Sequence, residues 1–99
     1  MMEKKLLTED DVYKQLKCLF NMLKSSGEFF DVDTLIFHAT RHIWDDLFTY
    51  DAESQVNFNC GIMRFCQDQD VISFFGTAGC VIIFSELSLW ANNKFCPEA

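Results

Sequence analysis

His38-Ala39-Thr40-Arg41-His42 holds the only two histidines of the chain, four residues apart. On a helix that spacing puts both imidazoles on one face, where they can share a metal ion. The zinc-protease arrangement carries a glutamate directly after the first histidine as general base, and Ala39 stands there instead. Zinc also asks for further ligands. Asp45 falls near the same face, but no second cluster supplies another. His38 and His42 are therefore expected on a solvated polar face, with no metal and no cofactor.

The other reactive side chains are arranged no better for chemistry. Asp45 and Asp46 are adjacent, so on a helix they point about 100° apart and do not form a facing carboxylate pair. Five cysteines, Cys18, Cys60, Cys66, Cys80 and Cys96, include no CxxC pair. Only Cys18 has a basic neighbour, Lys17, so no activated thiol is marked out. Gly76-Thr77-Ala78-Gly79 lacks the lysine of a phosphate loop. There is no GxSxG elbow, no calcium-binding loop and no basic aromatic surface for single-stranded nucleic acid. The chain is expected not to be an enzyme.

The elements that must carry these residues begin at Thr8. Thr8-Glu9-Asp10-Asp11 is a helix start, with a capping hydroxyl and three carboxylates where the helix dipole favours them. Val12, Leu16, Leu19, Phe20 and Leu23 recur on one stripe, and Gly27 is a C-cap candidate, which predicts a helix over 9–25. A second helix is expected from Asp31 or Asp33 to about Tyr50. Its core stripe is Leu35, Ile36, Ala39, Ile43, Leu47 and Tyr50. A second apolar strip, Phe37, Trp44 and Phe48, lies beside it, and the two together are wider than one core contact requires.

Beyond residue 50 the pattern changes. Val56 to Ile62 alternates apolar and polar, as a half-exposed strand does, and is expected to continue to Phe65. Gln67-Asp68-Gln69-Asp70 then looks like a turn between strands. The run 71–84, VISFFGTAGCVIIF, has no charged residue. Its β-branched and aromatic flanks around Gly76–Gly79 predict a β-hairpin, with a helix broken at glycine as the alternative. The tail, 85–99, either extends the last strand or forms a short helix. The expected fold is α+β, in the order α-α-β-β-β: two N-terminal helices packed on a three-stranded antiparallel meander, all in one domain over 1–99.

Bulk composition bounds the function. The chain has 99 residues and a formal net charge of −7. The imbalance lies after residue 24, where eleven acids face three bases, Arg41, Arg64 and Lys94. That excludes nucleic acid as a direct partner and fits a basic protein instead. The run 71–84 is shorter than the roughly 20 residues of a membrane span, so no membrane association is expected. The odd cysteine count, with no disulfide spacing, predicts a reduced cytoplasmic protein with free, buried thiols. Two surfaces then remain for binding. One is an acidic cluster, Asp45, Asp46, Asp51 and Glu53, with Asp68 and Asp70. The other is the strip Phe37, Trp44 and Phe48.

No motif names a family. In size, acidity and lack of catalytic residues the chain is similar to small cytosolic inhibitors such as immunity proteins. That likeness implies an antitoxin that blocks a basic nuclease toxin, with the acids steering and Trp44 supplying apolar contact. Two alternatives use the same sequence features. One is a phage-type anti-defence protein that mimics nucleic-acid charge. The other is a self-associating structural or regulatory module, a homodimer paired through the 71–84 hairpin.

Overall fold

A computed structural model describes residues 5–42 and 51–95. Four helices follow one another: α1 (Glu9–Ser25), α2 (Val32–His42), α3 (Ala52–Cys66) and α4 (Gln69–Phe95). Among the described residues there is no β-sheet. The fold is all-α, which overturns the α+β expectation and its three-stranded meander.

The N-terminal half follows its local signals. Thr8 Oγ1 accepts the Asp11 N–H at 3.1 Å, and Asp11 returns a carboxylate oxygen to the Thr8 N–H at 3.3 Å. This reciprocal cap satisfies two backbone donors that the first turn leaves unpaired. Val12, Leu16 and Phe20 form the buried face of α1. The helix ends at Ser26, with Gly27 following at φ 75°. Asp31 starts α2 by accepting the Thr34 N–H at 2.9 Å. Leu35 and Ala39 are buried as the stripe requires. Ile36 is half-buried against the core, and Ile43, Leu47 and Tyr50 lie outside the described residues.

The first expected strand is α3. Asp51 caps it, accepting the Ser54 N–H at 2.8 Å. The buried positions are Ser54, Phe58, Gly61, Ile62, Phe65 and Cys66, which is helical spacing. Two of them are a serine and a glycine, so the apolar pattern alone hides the period. Ser54 stays in the core because its hydroxyl oxygen accepts the Leu7 N–H at 3.2 Å. Val56 and Cys60, half of the apparent strand alternation, are exposed.

The expected hairpin and tail are α4. Its buried residues Val71, Cys80, Ile83, Leu87 and Ala91 follow a helical period from Cys80 onward. Gly76 has φ 78° and ψ 170°, a region open to glycine alone, and interrupts the helix without reversing the chain. Gly79 is helical, and a Cβ there would fall 2.7 Å from the Phe75 Cβ on the other side of the break and 3.3 Å from Val32 of α2. So the two glycines have separate jobs: one breaks a helix and the other admits a neighbour. The β-branched residues of 71–84 favour a strand only weakly, and tertiary packing outweighs that preference. Asp68 and Asp70 accordingly sit at a helix–helix junction, not in a strand turn.

α3 packs between α1 and α4, while α2 lies against α4 and α1. Phe20 of α1 is fully buried and meets Phe30, Phe65 and Phe74 edge-on, at ring distances of 5.6–6.0 Å. Edge-to-face contacts of this kind add to the burial energy of the rings.

Candidate functional site

The expected acidic surface divides when its residues are placed. Asp51 is the α3 cap, so its carboxylate is occupied by the backbone. Asp68 accepts the Tyr13 hydroxyl at 2.9 Å and lies 3.0 Å from Lys17 Nζ. Burial opposes ionisation of Asp68, yet the Lys17 and Tyr13 hydrogen bonds hold its carboxyl below the ordinary value. Asp70 is exposed, 3.6 Å from the same ammonium, and Glu53 is exposed on the first turn of α3. Asp45 and Asp46 lie outside the described residues.

Of the aromatic strip, Phe37 is 56% exposed. Its ring lies 5.4 Å from the His38 ring and 5.4 Å from the Arg41 guanidinium. Trp44 and Phe48 lie outside the described residues, as does the side chain of His42. Among the described residues no group of three or more His, Cys, Asp and Glu side chains is placed to hold a metal ion.

A site that the residue patterns did not single out lies between α3 and α4. It is a groove of about 280 Å³. Met63 and Cys66, one turn apart, form the α3 wall, and Cys80, Val81 and Phe84 form the α4 wall. Ile72 closes it from the segment before the Gly76 break. The Gly76 break falls between Ile72 and the Cys80, Val81 and Phe84 wall. No charged residue lines the groove.

Two thiols face this groove. Cys66 Sγ donates to the Cys80 carbonyl at 3.2 Å. Burial pushes the Cys66 thiol up to about 12 and raises Cys80 as well. Neither is a nucleophile at neutral pH, since reactivity follows the thiolate. The expectation that the cysteines are all buried is corrected at two positions: Cys18 and Cys60 are exposed, while Cys66 and Cys80 are buried. On α3 Cys60 and Cys66 part, one to solvent and one to the groove.

The groove opens onto a wider apolar surface. Ala78, Val81, Ile82, Ser85 and Leu89 are all exposed and recur on one stripe of α4. Val81 is 58% exposed and Leu89 56%. Helix α4 from Gln69 to Lys94 is long and apolar enough to cross a membrane by length and composition, with mean hydropathy 1.7 over its most apolar window. The break at Gly76 divides that length into two helices, so length and composition alone do not make it one continuous span. Only 28% of that window is buried within the protein. α4 thus carries far more apolar surface than the core uses, and the signal for it was visible: a charge-free run with apolar residues on every side. No family model, curated protein or solved structure matches the chain.

Proposed function

We propose that the chain is a small non-enzymatic protein-binding module that inhibits a basic partner, in the manner of an immunity protein against a nuclease toxin. The observation that carries this reading is the charge-free groove and outer stripe of α4 in a chain of net charge −7. An apolar centre within an acidic surface suits a partner with apolar anchors and a cationic rim. Glu53 is exposed and suited to steering, whereas Asp51, Asp68 and Asp70 are engaged within the protein. The test is affinity capture from the native host with wild type and Val81→Glu side by side, read by mass spectrometry. A basic protein held by wild type at low salt, and lost from the variant, supports the reading. Retention of the same partner by Val81→Glu sinks it.

One observation favours a second reading, self-association through segment 71–84 as a helix. The stripe Ala78, Val81, Ile82, Ser85 and Leu89 mixes small and apolar residues, so two copies can approach closely across a two-fold axis. Sedimentation equilibrium separates the two. A concentration-dependent dimer abolished by Val81→Glu supports pairing, and a monomer throughout returns the surface to a foreign partner.

A further inference from the structure

The α3–α4 groove brings together three sulfur-bearing side chains. Met63 and Cys66 approach from α3 and Cys80 from α4. Cys66 Sγ lies 3.2 Å from the Cys80 carbonyl, and both cysteines line the same groove. The rest of the lining is hydrocarbon apart from Gln67 and Thr77, neither of which titrates. Among the described residues no carboxylate or imidazole lines it.

A donor set of this kind selects its ligand. Calcium and magnesium require oxygen. Zinc in a closed site requires four ligands, tetrahedrally placed. Thiolate and thioether sulfur are soft donors that favour a soft cation, copper(I) above all. Two or three sulfurs satisfy such an ion, and an apolar surround keeps water from competing for it.

We propose that Cys66, Cys80 and Met63 form a copper(I) site, with the two thiolates as principal ligands and the Met63 thioether as the third. Binding forms three copper–sulfur bonds, two to thiolates and one to the Met63 thioether, and breaks two sulfur–hydrogen bonds. The two protons leave to solvent, and the metal stays monovalent, so no oxidant or reductant is consumed. The site stands independently of the inhibitor reading, since it needs no protein partner.

The test uses the full chain with Cys18, Cys60 and Cys96 changed to serine, so that other thiols contribute nothing. Copper(I) is titrated without oxygen against a coloured chelator, and circular dichroism follows the fold of every variant. One copper per chain is expected to resist the chelator. Cys66→Ser or Cys80→Ser should weaken it by about 100-fold or more, and Met63→Leu by about 10-fold. X-ray absorption on the copper-loaded protein with its groove intact reads the ligand shell directly, whether or not a serine variant folds. A shell of sulfur alone supports the site. Nitrogen or oxygen in that shell, or no chelator-resistant copper, or retention unchanged in both serine variants, overturns it.

Discussion

Helix α3 makes two contacts, and they differ in kind. Against α1 the seam is closed. Gly61 faces Val12 so tightly that a Cβ on the glycine would fall 2.5 Å from the valine Cβ. The rim of that seam is cross-linked by charge: Tyr13 and Lys17 reach Asp68, the Arg64 guanidinium covers the Tyr13 ring at 4.0 Å, and Arg64 also bonds Asp10 at 3.1 Å. Against α4 the same helix is tied at one end, by Gln55 with Asn92 and by the Ser88 hydroxyl donating to Asn59 at 3.1 Å. At the other end it opens into the apolar groove. The difference teaches where binding capacity lies. The α1 seam satisfies its own charges and fills its own space. The α4 seam has no charge to satisfy and leaves space and apolar surface over.

The comparison breaks most completely if the residue common to both seams is removed. Phe20 touches Phe65 of α3 and Phe74 and Phe75 of α4. Phe20→Ala should lower stability by about 3–5 kcal/mol, measured as a fall in the urea midpoint with little change of slope. Such a loss is a large part of the stability of a small domain.

A smaller effect should come from wedging the closed seam alone. Gly61→Ala forces a methyl against Val12 and the Glu9 carbonyl. Overpacking of this kind should cost about 1–3 kcal/mol. A thermal melt checks it, and an unchanged melting temperature would mean that the α1–α3 seam is no tighter than the groove.

Next comes the polar rim. Tyr13→Phe removes one hydrogen bond to Asp68 and should cost about 1 kcal/mol. It should also change the pH profile. Asp68 has a lowered folded value, so its stabilisation is present above the ordinary 3.8 and is lost as pH falls through the folded value. Tyr13 is raised above 10.0, first by its bond to Asp68, so its contribution holds below that and is lost as pH rises through the folded value. For Lys17, burial works against the charge, but Asp68 and Asp70 outweigh it and raise the value above 10.5, with loss on the same alkaline side. Wild type should therefore show a stability plateau that falls at both extremes. Tyr13→Phe should move the acid limb upward and remove the tyrosine part of the alkaline limb, as read by melts across pH.

The smallest effect on folding should come from the open side. Val81 is 58% exposed, so Val81→Glu should leave stability within about 0.5 kcal/mol of wild type. The same change places a carboxylate in the groove wall and should abolish partner capture. A large fall in melting temperature would show that Val81 belongs to the core after all, and would erase the contrast between the two seams.

Much of this molecule was legible where its signals are local. Thr8, the acids after it, the apolar stripe of α1 and the stop near Gly27 act within one or two turns of chain. They act the same way in any fold, and α1 spans the residues they predict. Asp31 is likewise a cap that a side chain makes to its own backbone, whereas Asp51, expected in the acidic binding cluster, caps α3. The abundance of apolar residues after 70 and the absence of charge there also marked, from composition alone, a segment with more apolar surface than one core face can take.

Tertiary structure decided the rest, because burial is a property of neighbours. Ser54 and Gly61 occupy core positions of α3 that no hydrophobic pattern counts. One is there because the Leu7 N–H needs an acceptor, the other because Val12 needs room. Without them the residues from Val56 to Ile62 alternate like a strand. Gly76 and Gly79 look like one turn in sequence and differ in space, since φ at Gly76 and the approach of Val32 to Gly79 depend on how α4 meets α2 and α3. Asp68 counted as surface charge until Tyr13 and Lys17, more than fifty residues earlier in the chain, were brought beside it. The groove has the same origin: Met63 and Cys66 of α3 and Cys80 of α4 become neighbours only when the two helices pack together.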